Sequence, residues 1–382
     1  MTELRELGEK KEKRIRRIKF VKFDFPLFIT LLILVGFGLV MIFSASYYSA
    51  ENSKYADGLY YFKKQLIGIV LGMAAMIFLM FFDYKRLLKL RWIILGVALL
   101  MLVAVLIPGI GQNLNGSRRW INVGISIQPS EVMKFALIIF IAGGIATSKH
   151  DIRNFFTGLL PYLVLLGVIC VLIYLQPNFS AIICLATLTF IMLFAGGAHI
   201  GQMAVLCGLA VVAACVFVFG EDYRVDRLMA FQDPWKYTGD ESYQLIQSLY
   251  AIGSGGIFGM GLGNGMQKLL FLPYSESDFI FSIVAEELGF VGAVLLIALF
   301  AIFIWRGIRI AMKAPDMFGF LIAVGVVSII GIQVMINIGV VTGAIPATGV
   351  ALPFISAGSS SLMIFMAMTG VLLNISRQSN KA

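Results

Sequence analysis

Asp278 is the residue whose setting points most directly to chemistry. It closes the stretch Leu272-Pro273-Tyr274-Ser275-Glu276-Ser277-Asp278-Phe279, where a long polar segment meets a long apolar run. A carboxylate half-shielded at such a boundary is held above its ordinary pKa, which suits a general base that must take up a proton and later release it. The same position equally suits an acidic charge placed to favour a helix dipole. Glu286 and Glu287 follow two turns deeper, and Asp278, Ser282 and Glu286 have the i, i+4, i+8 spacing of one helical face. Acidic side chains in an apolar span are costly unless they work or are paired. Arg119 and Lys134 are the candidate partners, and a purely structural ion pair is the plain alternative.

A second group gathers around residues 115–134. Asn115-Gly116-Ser117-Arg118-Arg119-Trp120-Ile121 precedes Gln128-Pro129-Ser130-Glu131, and Lys134 follows one turn later. Arginine offers a planar fork matched to phosphate oxygens and lysine a point charge, so the group reads as a phosphate site. Two arginines beside a tryptophan also suit simple interfacial anchoring. The run Gly253-Ser254-Gly255-Gly256-Ile257-Phe258-Gly259-Met260-Gly261-Leu262-Gly263-Asn264-Gly265 lacks G-K-[ST] and any clean G-x-G-x-x-G, and reads as close-packed loop backbone, not a nucleotide cradle. Residues Asn337 to Ser361, rich in glycine and serine with Pro346 and Pro353, read as a broken helix beside the site, because such backbone survives at membrane depth only when buried in protein or lining a cavity. Cys170, Cys184, Cys207 and Cys215 all lie in apolar stretches without a C-x-x-C pair, as buried thiols acting as small hydrophobes.

The elements that must hold these groups are membrane spans. Of 382 residues 59% are apolar and 13% charged, against about 45–50% and about 25% in soluble domains. A soluble enzyme and a disordered chain are both excluded. A span needs about 20 apolar residues, and ten stretches qualify: 25–48, 59–82, 91–108, 131–148, 157–175, 179–195, 200–219, 279–305, 317–342 and 347–374. The expected fold is an all-α integral membrane protein of ten transmembrane helices with a large extracytoplasmic loop between the seventh and eighth. The expected organisation is a basic cytoplasmic N-terminus over 1–24, spans one to seven over 25–219 with an outer loop at 109–130, the long loop over 220–278, spans eight to ten over 279–374, and a cytoplasmic tail over 375–382.

Orientation follows from charge. Nine Lys and Arg crowd residues 1–22, and the apolar run behind them is too long for the roughly 7–15 residues of a signal peptide core. With both termini cytoplasmic, the inner loops carry Lys85, Arg86, Lys89, Arg91, Lys149, Arg153, Arg306, Arg309 and Lys313, as the positive-inside rule requires. Twenty of the 30 basic residues then lie inside against 8 of the 21 acids, so the formal net charge of +9 reports topology and attraction to the inner leaflet, not nucleic acid. Arg118, Arg119 and Lys134 fall outside, against the rule. So do ten of the acids, between Glu221 and Glu287. That long loop carries Trp235, Tyr237, Tyr243, Phe258 and an amphipathic stretch at 243–249, and reads as a folded cap on the outer leaflet. Both histidines, His150 and His199, map to the cytoplasmic side, so outer-face acid–base work falls to carboxylates, Lys or Tyr. Outside the plasma membrane there is no ATP, and a substrate must carry its own activation.

At these motifs the chain resembles the SEDS family of cell-wall proteins (FtsW, RodA and SpoVE). The matching stretches are Gly38 to Ser46, Arg118-Arg119-Trp120, Gln128-Pro129-Ser130-Glu131, Phe231-Gln232-Asp233-Pro234-Trp235, Tyr243-Gln244 with the glycine run, Asp278-Phe279-Ile280-Phe281 through Gly289, and Asn337 to Ser361. The wording is nearest FtsW and SpoVE. The resemblance implies a peptidoglycan glycosyltransferase that polymerises lipid II at the outer face for division or sporulation septum synthesis, with Asp278 catalytic and Arg119, Trp120, Gln128, Glu131, Lys134 and Glu286 binding substrate. It also implies a class B penicillin-binding protein as partner, other division or elongation membrane proteins beside it, and a growing glycan strand on polyprenyl diphosphate. No resident cofactor is implied; a divalent cation, Mg or Mn, is the one candidate, on the departing diphosphate. The chain departs from the family at Pro273-Tyr274 for the usual Pro-Glu, at Gln176-Pro177-Asn178 for Gln-Pro-Asp, and at Gly358-Ser359 for Gly-Gly. The first leaves open whether Glu276 stands in for the missing carboxylate. Two rival readings are a lipid-linked precursor flippase or transporter, which would place its polar groups near the midplane between repeats, and a non-catalytic scaffold for a penicillin-binding protein.

Overall fold

The computed structural model describes residues 23–53, 56–114, 117–122, 124–148, 151–220, 225, 229, 231–236 and 240–379. The basic head, Asn115 and Gly116, Lys149 and His150, the acids Glu221, Asp222 and Asp226, Tyr237, Lys381 and the side chain of Cys215 lie outside the described residues. Eleven described helices are used below: α1 Phe25–Glu51, α2 Tyr60–Phe81, α3 Lys85–Ala104, α4 Pro129–Thr147, α5 Leu160–Tyr174, α6 Phe179–Ala195, α7 Ile200–Phe219, α8 Asp240–Gly255, α9 Ile280–Met312, α10 Met317–Val341 and α11 Ser359–Ser379. A π-helical turn, Phe155–Leu159, leads into α5.

Among the described residues eight helices are long and apolar enough to cross a membrane, α5 being taken with its π turn. Two shorter apolar helices are Phe179–Ala195 and Ile200–Val212. The chain is a multi-pass membrane protein. Several helices begin where a side chain or a proline settles the first turn: Asp24 Oδ1 accepts from Leu27 N ahead of Pro26 in α1, Asp316 Oδ1 accepts from Gly319 N in α10, and Asn178 Oδ1 accepts from Ala181 N in α6. α10 lies at the centre, packed on α4, α6, α9 and α11, while α2 and α11 run together along their lengths. α7 packs mainly on α6, with Gln202 Nε2 also donating to Arg153 O, and its Cys207 is exposed where the sequence suggests a buried thiol.

Two expectations change. The first outer loop is not irregular: β1 Gly111–Leu114, β2 Ser117–Asn122 and β3 Ser126–Ile127 form a three-stranded antiparallel sheet, so the fold is mostly but not wholly helical. The pairing is pinned by Ile121, which is buried and faces Gly111 on one side and Ile127 on the other. The last helix begins at Ser359, not near 347, because residues 342–358 run as turns and extended backbone between α10 and α11.

α9 is interrupted where the sequence shows only continuous apolar residues. Gly289 adopts φ 68°, ψ −167°, a conformation essentially closed to other residues. The break would leave the carbonyls of Glu286 and Glu287 and the amides of Phe290 and Val291 without helical partners. The glycine run supplies them: Met260 N and Gly261 N donate to Glu286 O and Glu287 O at 3.0 Å each, and Phe290 N and Val291 N donate to Gly256 O and Ile257 O at 2.9 and 3.1 Å. A Cβ on Gly259 would lie 2.1 Å from Glu287 O, so this close approach needs glycine there.

Candidate active site

A cavity of about 470 Å³ opens among β2, α4, the α5–α6 turn, the segment before α9 and the α10–α11 connection. Asp278, Arg119, Trp120, Gln128, Glu131 and Lys134 all line it. Residues separated by more than 140 positions in the sequence thus face one space.

Asp278 lies in the turn just ahead of α9, and the backbone around it is clamped by the α10–α11 connection. Ala357 N donates to Glu276 O at 2.9 Å, Ser356 Oγ to Ser277 O at 2.6 Å, and Asn337 Nδ2 to Asp278 O at 2.7 Å. Asn337 Nδ2 also donates to Val350 O at 2.7 Å, and Gln65 on α2 holds the same connection through Ser356 O and Gly358 N. Gly349, at φ 66°, lets this backbone pass close by the carboxylate: a Cβ there would sit 3.2 Å from Asp278 Oδ2. Burial and the neighbouring Glu276 push the Asp278 carboxyl up to about 6, while Arg119 pulls it down. Burial raises Glu276 as well.

Arg119 owes its aim to a β-bulge. Gln112 pairs with Trp120 and Asn113 with Arg118, so Arg119 is the extra residue of β2. Its Nε donates to Gln176 O at 3.2 Å and its guanidinium also reaches Pro177 O. Both acceptors are neutral carbonyls, and among the described residues no carboxylate forms an ion pair with it. Lys134 differs. It is buried, ion-paired with Glu131 one turn away, and Glu131 in turn accepts from Ser361 Oγ at 3.0 Å. Its charge is therefore already matched.

Glu286 does not reach the cavity. Its Oε1 accepts from Met266 N at 2.7 Å and Gln267 N at 3.1 Å, which ties it to the glycine-rich loop. Neither Arg119 nor Lys134 partners the acids of α9: Glu287 pairs with Lys268 at 2.6 Å and accepts from Ser44 Oγ at 2.7 Å. The shared face of Asp278, Ser282 and Glu286 is also absent, because Asp278 precedes the helix and Ser282 contacts Ser248 of α8 at 2.7 Å.

Residue type alone missed several lining groups: Asn178, Ser180, Cys184, Gln333 and Ser361. Polar residues inside apolar spans were the available signal for Gln333 on α10. Among the described residues no group of three His, Cys, Asp or Glu side chains could hold a metal ion. The cavity's acids do not fit a protein-built cation cage, since Glu131 is committed to Lys134.

A family model described as "Cell cycle protein", covering FtsW, RodA and SpoVE, matches residues 25–381. Stage V sporulation protein E of Bacillus subtilis is 43% identical over 357 residues, 93% of this chain and 97% of that protein. The probable peptidoglycan glycosyltransferase FtsW of Trichlorobacter lovleyi is 42% identical over 360 residues, 93% of each. Among solved structures, a chain described under "Structural coordination of polymerization and crosslinking by a peptidoglycan synthase complex" superposes with a TM-score of 0.78 at 25% identity, covering 94% of this chain and 99% of that one. The rod shape determining protein RodA of Thermus thermophilus gives 0.69 at 26% identity, covering 94% and 98%.

Proposed function

The chain belongs to the FtsW, RodA and SpoVE family, and from that premise we propose that its peptidoglycan glycosyltransferase activity is carried by the Asp278 cavity acting on lipid II. One observation carries the assignment: a carboxylate raised by burial shares a cavity with a guanidinium that, among the described residues, forms no ion pair. Asp278 takes the proton from the acceptor sugar hydroxyl as that oxygen bonds to the donor anomeric carbon, and the bond from that carbon to the diphosphate breaks. Arg119 faces the departing polyprenyl diphosphate, where a fork of donors stabilises charge as it develops. Lys134 contributes through its pair with Glu131, which fixes the cavity floor. Trp120 and Gln128 line the sugar-binding space.

Counting α6 and α7 as crossing, the reading is ten spans, with both termini in the cytoplasm and residues 109–130 and 220–278 outside. This orientation is supported by the inner-loop basic residues and places the cavity at the outer face. A class B penicillin-binding protein is the crosslinking partner, in line with the polymerising and crosslinking complex that the fold resembles. Purified Asp278→Asn protein with that partner should polymerise lipid II at least about 10²-fold more slowly than the unmodified protein, the scale of a lost general base. An unchanged rate would overturn the assignment.

A further inference from the structure

The glycine run does more than fill the break in α9. From Gly253 to Gln267 there is no charged residue in fifteen positions. Nearly every amide across its middle is bonded within the protein: Gly259 N to Gly255 O, Met260 N and Gly261 N to the α9 carbonyls, Gly263 N to Glu287 Oε2, Asn264 N to Gly261 O, and Met266 N and Gln267 N to Glu286. Amides bonded within the protein lower the cost of bringing this backbone to the edge of the hydrocarbon. The side chains face the other way. Phe258 is 81% exposed and Ile257 63%, with Leu262 and Met266 also more than half exposed. They continue the outward face of α9, where Phe290 and Leu295 are exposed as befits a spanning helix.

The depth of this tip can be read from α9. Counting back from Arg306, the first charged residue of α9 after Glu287, about 20 residues at 1.5 Å each cross about 30 Å of hydrocarbon and reach Glu286. The tip is bonded to residues 286–291, so it lies at and just below the level where hydrocarbon ends. The one cation that follows, Lys268, is turned inward onto Glu287 and Ser44 and does not snorkel outward.

We propose that the loop tip Ile257–Met266 is inserted in the acyl region of the bilayer, with Phe258 and Ile257 in contact with lipid chains. The loop is thereby a fixed reference between the leaflet and the segment 268–278 that runs from it to Asp278. This claim does not depend on what Asp278 does, and it is tested without measuring activity. The full-length protein, with its four cysteines replaced and Phe258→Cys spin-labelled, is reconstituted in phosphatidylethanolamine–phosphatidylglycerol vesicles. Collision rates with oxygen and with a water-soluble nickel chelate are compared with those of labels at Leu295→Cys and Lys63→Cys. Oxygen accessibility several-fold above nickel, matching the Leu295 label, is expected. Nickel-dominated accessibility like that at Lys63 would overturn the proposal, and so would low accessibility to both probes, which would mean that protein covers the tip. If the cysteine-free background fails to fold, Phe258→Trp in otherwise unmodified protein gives the same decision. Its added fluorescence should be quenched by lipids brominated on the acyl chain, and absence of that quenching overturns the proposal.

Discussion

Asp278 sits between two opposed influences, and the pH dependence of the reaction should show both. Its carboxyl must be ionised to accept a proton, so polymerisation should rise as pH passes through about 6 and level off above it. Glu276→Gln removes the repelling charge and should move that acidic limb to lower pH; Arg119→Ala removes the attracting one and should move it higher while also slowing the reaction. A pH–rate profile of each variant decides, and an unmoved limb in Glu276→Gln would remove Glu276 from the electrostatics of the site. Stability runs the other way. A carboxyl raised from the ordinary 3.8 to about 6 in the folded protein keeps its proton longer than in the unfolded chain, so its contribution falls as pH climbs between those values. Asp278→Asn should therefore melt slightly higher than the unmodified protein at pH 7. Residue type and position were enough to find Asp278, Arg119 and the 128–134 group. They misplaced Glu286 because i, i+4 spacing assumes a helix already running at Asp278, and that helix starts at Ile280.

At the scale of elements, the break at Gly289 and the ion pair beneath it explain each other. Lys268, Glu287 and Ser44 join the loop, α9 and α1 in one buried cluster. Lys268→Met would strand the Glu287 carboxylate and should cost about 3 kcal/mol or more, read as a lowered unfolding midpoint in detergent. Adding Glu287→Gln should return part of it. Gly259→Ala should be comparably harmful, since the new Cβ meets a carbonyl and not a movable side chain. The Asn337 clamp predicts a different pattern: Asn337→Ala frees the Asp278 backbone and should lower kcat with little change in KM. Apolar run length revealed every long helix, because crossing hydrocarbon demands it. The sheet at 111–127 was hidden, its strands being of six residues at most and one of only two. The break in α9 was hidden too, since Gly289 takes its conformation from a loop whose bonded residues, 256 to 261, lie far earlier in the chain.

Viewed whole, the protein keeps its polar work at one end of a helical bundle and its latches at the other. Asp24 grips Arg306 through two hydrogen bonds of 3.1 and 2.6 Å, tying the start of α1 to the end of α9, and Asp316 holds Tyr84 at 2.8 Å. These contacts brace the ends of helices whose other ends carry the cavity. The interruption of α9 has a kinetic meaning as well. The loop bonds to the carbonyls of Glu286 and Glu287 before Gly289 and to the amides of Phe290 and Val291 just after it, so the turns of α9 around the break and the loop form one opening unit. In hydrogen–deuterium exchange the amides of 280–288 and 256–267 should open together, at rates unlike those of 292–312, and Lys268→Met should hasten the first two sets while leaving the third untouched. A single continuous helix by sequence would thus keep two exchange regimes, divided near Gly289.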